Sequence, residues 1–253
     1  MPKTNTALAK MKAGKPAFGY AVGSGSPIVT EILAHCGIDF LLLDNQHGSF
    51  GTDGTILCLM AAAAGTATPM IRPARNDYTM IGRVLDEGAL GIVVPMVENA
   101  ADARAAADAC RFPPRGRRSW GYGRAASYGD DYTGWIGDEL FVAVQIESAE
   151  AAGRAEEILA TPGIDGCWIG PADLALSLGI HPSKARGDER HEQALQQVLT
   201  ACRNTGKIPG LACQSAEEAA RRAAQGFQFL TAGGDGGFLR QGALAGLKQL
   251  GLA

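Results

Sequence analysis

Residues 166–178 read GCWIGPADLALSL, and residues 142–148 read VAVQIES. Each is a short apolar run that ends abruptly in a carboxylate, Asp173 in the first and Glu147 in the second. Read as parallel strands, both runs place the carboxylate just past a strand's C-terminal end. In a barrel of alternating strands and helices that end carries the active site, because the loops there converge on one mouth. Two hard oxygen donors at adjacent strand ends point to a divalent metal.

The same alternation continues outward from these runs. Residues 18–22, 40–44, 68–72 and 91–96 precede them as strand candidates, and residues 208–212 and 227–231 follow. Helical spacing occupies residues 6–13, 28–35, 55–64, 78–87, 98–109, 149–159, 192–204 and 216–224, with glycine stops at Gly14 and Gly88. Eight strands alternating with helices predict an α/β fold, a (β/α)8 TIM barrel, and 253 residues is the usual length of one such domain, here taken as 1–253. Residues 112–137 change to Gly, Arg, Tyr and Trp without periodicity, as a lid or binding loop does. The apolar tail, residues 238–250, reads as a helix that closes the barrel or reaches a neighbour.

Composition narrows the function classes. With 46% hydrophobic and 19% charged residues and a net charge of −3, the chain has the make-up of a soluble globular protein, and nothing indicates a nucleic-acid partner. The arginines at Arg111, Arg115, Arg117, Arg118 and Arg124 are expected to meet carboxylates. No apolar run is long enough to cross a bilayer, so no membrane partner is expected, and no signal peptide is evident. The six cysteines show no C-x-x-C pairing and read as reduced thiols of a cytoplasmic protein.

Polar residues at the C-terminal ends of barrel strands face the mouth. Asp44 and His47 follow the second strand, Arg72 ends the third, Gln145 and Glu147 end the fifth, and Asp173 follows the sixth. A lone strand-end carboxylate often just caps the next helix, and Glu147 or Asp173 could do so. Convergence of all these groups on one rim is harder to explain by capping. Two carboxylates leave coordination sites for water and substrate, which suits Mg2+, Mn2+ or Co2+ rather than a closed zinc site. His35, His181 and His191 read as solvated or structural. The lysines, Lys3, Lys10, Lys12, Lys15, Lys184, Lys207 and Lys248, all miss the strand C-termini, so a Schiff-base nucleophile is absent. The glycine clusters GSGS (23–26) and GGDGG (233–237) are either anion cradles or tight turns.

At LLLDNQHG, IRPARND, LDEGALGIVVPMVENAADA, FPPRGRRSWG, VQIES and IGPADLALSLG the sequence resembles the class II pyruvate aldolases of the HpcH/HpaI family, the 4-hydroxy-2-oxoheptanedioate aldolase type. The resemblance runs from about Phe18 to the C-terminus. It implies Glu147 and Asp173 as metal ligands, Arg72 as the group that stabilises the enolate, and His47 as base, with Asp44 and Asp86 supporting it. Gln145 and Ala172 fall at substrate-contacting positions, and the helix N-terminus at Gly170, Pro171, Ala172 and Asp173 is expected to hold the substrate carboxylate through its backbone N–H groups. It also implies a homohexamer, a trimer of dimers that exchange C-terminal helices. The family commonly has Glu before the histidine, whereas this chain has Gln46.

These residues predict a metal-dependent aldolase that joins pyruvate, or hydroxypyruvate, to an aldehyde through an enolate, or runs that reaction in reverse. Two other readings stand beside it. The same enolate could end in decarboxylation or tautomerisation of a 2-oxo acid, and a sensor barrel would bind a small acid without turnover.

Overall fold

The structure is a computed structural model that describes residues 4–121 and 123–252, so Lys3 lies outside the described residues. Eight parallel strands, β1 (Ala17–Val22), β2 (Phe40–Asp44), β3 (Thr68–Arg72), β4 (Gly91–Val94), β5 (Phe141–Ile146), β6 (Gly166–Ile169), β7 (Gly210–Cys213) and β8 (Phe229–Gly234), close into a barrel in sequence order. Around them run α1 (Thr6–Lys12), α2 (Pro27–Ala34), α3 (Thr52–Ala64), α4 (Tyr78–Asp86), α5 (Ala100–Cys110) and α6 (Tyr132–Glu139). The circuit finishes with α7 (Ala149–Gly153), α8 (Ala155–Leu159), α9 (Pro171–Ser177), α10 (Glu189–Thr205), α11 (Ala216–Gln225) and α12 (Asp235–Gln249). The expected TIM barrel is therefore the observed fold.

Strand parity builds the two layers. Phe40 and Leu42 of β2 face inward with Met70, Phe141, Trp168 and Phe229, while Leu41 and Leu43 face the helices. A strand covered on both faces needs an unbroken apolar run, and FLLL is one. The Phe40 ring occupies the space that a side chain at position 19 would take, which fixes that position as glycine. Below the strands, Ala7, Leu8 and Met11 of α1 join the interior cluster and plug the barrel's lower end. Asn5 caps α1 and donates to the carbonyls of Leu90 (2.8 Å) and Glu139 (2.9 Å), fixing the plug in place.

The loop expected over 112–137 contains a 3-10 turn (Arg124–Tyr128) and the helix α6. Its arginines do meet acidic or carbonyl oxygens, as the charge balance suggested. Arg115 pairs with Asp138, Arg117 with Asp108 and Arg118 with Asp86, and Arg124 donates to the Glu87 carbonyl. The helix expected over 149–159 is broken at Arg154 into α7 and α8.

Arg111 is the strongest of these anchors. Buried at 5% exposure, it pairs with Asp165 at 2.5 Å and donates to the carbonyls of Gly137, Leu140 and Gly163. Arg111→Met would keep the bulk and remove a donor from all four partners, leaving Asp165 only the Val142 N–H. Removing one member of a buried ion pair costs about 3–5 kcal/mol, so a denaturant midpoint lowered by that amount at constant slope is expected. An unchanged midpoint would show that the anchor contributes nothing.

Candidate active site at the barrel mouth

Period-two parity sends Asp44, Arg72, Gln145 and Glu147 to the inside of the mouth, and strand register sets their order. Asp44 and Arg72 are direct cross-strand partners, as are Gln145 and Trp168. Arg72 donates Nε and Nη2 to the two Asp44 carboxylate oxygens at 2.9 and 2.5 Å. Its Nη1 donates to Gln145 Oε1 at 3.2 Å, and the guanidinium lies 5.3 Å from the centre of the Trp168 ring. Gln145 Nε2 donates to Glu147 Oε2, and Glu147 Oε1 accepts the Met96 backbone N–H at 3.0 Å. Met96 is held at φ +56°, a left-handed conformation uncommon outside glycine. The result is one connected array, Asp44–Arg72–Gln145–Glu147, whose side chains each have their orientation fixed by a neighbour.

The two carboxylates that follow strands are not used as caps. Ser148 caps α7 through a bond from Ala151 N, and Gly170 is the N-cap of α9. Burial, the largest influence, pushes the Glu147 carboxyl above its usual range, the Met96 N–H bond opposes this, and the negative charge of Asp173 adds to the upward shift. Arg72 and His47 also act on Glu147 electrostatically, so all four groups share one region. Two carboxylates near enough to repel, one of them desolvated, form a site that a cation relieves. A Cβ at Gly170 would lie 2.8 Å from Gln145 Nε2 and 2.9 Å from Glu147 Oε2, so the glycine keeps the space in front of Glu147 open. Among the described residues no cluster of three or more His, Cys, Asp and Glu forms a metal cage. The donor set of two carboxylates therefore fits an oxygen-liking divalent ion that keeps water and substrate as further ligands.

Burial alone would raise the Asp44 carboxyl, but its bonds from Arg72 and from the backbone N–H groups of His47 and Gln46 outweigh it and hold it below the usual value. These bonds commit Asp44 to Arg72 and to the backbone of its own turn, not to the imidazole of His47. His47 is exposed at the rim. Asp86 does not meet His47 within this chain. As the last residue of α4 it sits where that helix returns toward the start of β4, at the other end of the barrel, and it pairs with Arg118 Nη2 at 2.8 Å. Gln46 leaves Oε1 buried without a donor. Pro171, Ala172 and Asp173 form the first turn of α9, where the N–H groups of Ala172 and Asp173 have no partner inside the helix.

The glycine clusters resolve as a turn and its clasp. Asp235 accepts the N–H groups of Gly23 (3.0 Å) and Ser24 (2.9 Å), so the chain's own carboxylate occupies the GSGS loop. A cavity of about 450 Å3 adjoins the array at Asp44, Arg72 and Trp168 and extends toward the ends of β7 and β8 and the start of α12; Gln145, Glu147 and Asp173 are not among its lining residues. A larger open groove of about 620 Å3 between α8 and α10 is lined by alanine, glutamine and surface glutamate, with no strand-end group, and does not compete as a reaction site.

Two contributors, Trp168 and Arg240, escaped the sequence reading, and His191, read as solvated or structural, is structural. Trp168 stacks under Arg72, and counting two back from Gly170 would have turned it inward. His191 is buried at 4% exposure, with Nε2 2.9 Å from the Pro171 carbonyl oxygen, so α10 steadies the start of α9. Arg240 lines the mouth from α12, a tail that read only as apolar.

The sequence profile of the family described as HpcH/HpaI aldolase/citrate lyase matches residues 18–242. A 4-hydroxy-2-oxo-heptane-1,7-dioate aldolase from Escherichia coli is 36% identical over 248 residues, covering 95% of this chain and 93% of the relative. An HpcH/HpaI aldolase/citrate lyase family protein from Burkholderia cenocepacia superposes with a TM-score of 0.92 at 30% identity, over 98% of this chain and 99% of the other. The crystal structure of a citrate synthase, SbnG, gives a TM-score of 0.86 at 26% identity, over 98% of this chain and 99% of the other.

Proposed function

The chain belongs to the HpcH/HpaI aldolase/citrate lyase family, and from that premise we propose a divalent-metal-dependent aldolase that cleaves or forms 4-hydroxy-2-oxo acids. It is a carbon–carbon lyase. Its partners are an aldehyde and pyruvate or hydroxypyruvate, the latter reacting as an enolate. The observation that carries this reading is the array Asp44–Arg72–Gln145–Glu147 at the strand C-termini, with the charge of Asp173 acting on Glu147.

Glu147 and Asp173 would hold the divalent ion, which would supply Lewis acidity at the 2-oxo group when bound. The chain's own residues do the rest. Arg72, held on three sides, presents fixed positive charge where the C2 oxygen becomes an enolate. The Ala172 and Asp173 N–H groups at the start of α9 hold the substrate carboxylate, Pro171 sets the helix entry, and Gly170 leaves room for the keto acid. In cleavage His47 takes the proton of the C4 hydroxyl. The C3–C4 bond then breaks, its electron pair passes into the enolate, and the aldehyde leaves; C3 is finally protonated to give the 2-oxo acid. A contribution of Asp86 to His47 basicity would need the Asp86 of a second subunit.

Further parts of the reading rest on separate features. We place Mg2+, Mn2+ or Co2+ in the site because the donors are carboxylates. Assembly is a homohexamer with exchanged C-terminal helices, supported by α12, which buries no residue and exposes Leu239 at 78% and Leu250 at 73%. The single aldolase domain spans 1–253, and the six free cysteines favour the cytoplasm. Among the described residues no helix is long and apolar enough to cross a membrane.

The test needs no aldehyde. In D2O with Mg2+ or Mn2+, the protein is expected to exchange the methyl protons of pyruvate for deuterium, seen as loss of the methyl proton signal. Absence of exchange with every divalent ion tried would overturn the enolate reading.

A further inference from the structure

Five of the six cysteines are buried, and two of these meet. Cys167 Sγ of β6 and Cys202 Sγ of α10 lie 3.5 Å apart and share an S–H···S hydrogen bond, although 35 residues separate them in the chain. Strand parity accounts for the first: Trp168 turns into the barrel, so Cys167 turns outward to the helices. Cys202 follows Leu195, Val198 and Leu199 along the buried face of α10. Among the described residues no other pair of thiols shares a hydrogen bond.

The pair lies beside an opening. Cys202 belongs to the lining of a cavity of about 510 Å3 at the lower end of the barrel, between α1, α10 and the segments that lead into β7 and β8. Lys12, Arg203 and Lys207 share that lining against one carboxylate, Asp165, which is already paired with Arg111. Cations beside a thiol favour its thiolate, the form that reacts. Within the pair the shared hydrogen bond works against burial, pulling the Cys167 thiol below its usual value while pushing Cys202 up. The first proton is therefore lost by the pair, and the second can be held by either sulfur. Cys110 and Cys213 lack such a partner, and burial pushes both up to about 12.

We propose that Cys167 and Cys202 form a redox-active dithiol that a hydroperoxide closes to a reversible disulfide, tying α10 to β6. Cys202, on the cavity side, attacks one peroxide oxygen as the thiolate. The O–O bond breaks, the leaving oxygen takes a proton and departs as water or an alcohol, and a sulfenic acid remains on Cys202. Cys167 then attacks that sulfur; the S–S bond forms, the S–O bond breaks, and the Cys167 proton leaves with the hydroxyl as water. Two thiols are oxidised and one peroxide is reduced. The sulfurs have to close to about 2.0 Å. That movement falls to α10, because β6 is held to β5 by four register pairs. Since His191 of α10 also holds the Pro171 carbonyl oxygen at 2.9 Å, the bond joins β6, α10 and the start of α9 into one piece.

The experiment uses the full chain carrying Cys36→Ser, which removes the exposed thiol and with it cross-linking between molecules. Native protein is treated with hydrogen peroxide, alkylated under denaturing conditions, and read by intact mass and peptide mapping. The expected product has lost two hydrogen atoms, contains a peptide joining Cys167 to Cys202, keeps Cys58, Cys110 and Cys213 as alkylated thiols, and reverts with dithiothreitol. Its thermal midpoint is expected to rise by about 5 °C or more, because a cross-link closing a loop of this size constrains the unfolded chain. Adding Cys202→Ser is expected to abolish both the link and the rise, and the mass and midpoint of the parent protein decide the matter even where that variant folds poorly. Absence of the link overturns the proposal. So does a link that appears only together with oxidation of Cys58, Cys110 and Cys213, since reaction then follows unfolding, and so does a midpoint that stays or falls on oxidation. No reading involves pyruvate or a metal, so failure here leaves the aldolase assignment standing.

Discussion

Removing the divalent ion is expected to bring aldol cleavage down to background, and Glu147→Gln is expected to reproduce that loss in metal-supplemented buffer. The substitution is nearly isosteric and keeps an oxygen able to accept the Met96 N–H bond at 3.0 Å. What it removes is the charge, and with it the oxygen that accepts from Gln145 Nε2. Glu147 is buried at 4% exposure with Asp173 acting on it, so its ionised form is costly until a cation is present. A neutral amide abolishes that cost together with the reason for the cation to bind. Since even outer-shell changes around a metal cost about 10–100-fold, loss of a direct ligand should lower activity by at least about a hundredfold. The measurement is pyruvate release from a 4-hydroxy-2-oxo acid after exhaustive chelation, followed by add-back of Mg2+, Mn2+ and Co2+, with metal binding to both proteins followed by calorimetry. Full turnover in the chelated wild type would remove the metal from the mechanism. Full turnover in Glu147→Gln would remove Glu147 from the metal.

The barrel was legible because its strands report burial on both faces. FLLL, FVAV and GCWI are unbroken apolar runs, as strands between an inner core and outer helices must be. Ends were less legible than centres. The seventh and eighth strands begin two residues later than their apolar runs, at Gly210 and Phe229. Hydrophobicity marks what is buried, and Pro209, which precedes Gly210, has no N–H for a strand ladder.

The site divides along the same line. Residues 44, 72, 145 and 147 were legible because strand parity and strand ends are local properties, and Asp44 meets Arg72 because β2 and β3 are adjacent in register. Asp86 rests on resemblance alone: the alternation puts the end of α4 beside the start of β4, away from the mouth, and nothing local to the helix says whose site it serves. The partner of Asp44 was also misread. Nearness in the sequence suggested the His47 ring, but a charged fork directly across the strand pair makes the stronger bond. Arg240 stayed hidden because its meaning depends on the direction in which α12 leaves β8, which the composition of an apolar tail does not reveal.

Replacing Arg72 by Ala should lower turnover by about a hundredfold to a thousandfold, the loss seen when one preorganised donor to a developing oxyanion is deleted. Affinity for the divalent ion should change far less, because both of its carboxylate ligands remain. Stability has to be measured alongside, since the substitution leaves Asp44 partly buried without its cation. The sign of that effect follows from the pKa. The Asp44 carboxyl lies below its unfolded value, so the stability it contributes is present above the ordinary carboxylate range and lost as pH falls through the depressed value. Without Arg72 only the backbone bonds from Gln46 and His47 oppose burial, so the depression shrinks, and the variant should lose stability at neutral pH and lose less on acidification than wild type does. Arg72→Lys should not restore turnover. An ammonium is a point charge, whereas this position needs a planar group that binds both Asp44 oxygens, reaches Gln145 and lies against Trp168. Through Gln145 that group also fixes Glu147, so a moderate loss of metal affinity is consistent with the array. Equal losses of turnover and metal affinity are not, and would reduce Arg72 to a support for the ion rather than a stabiliser of the enolate.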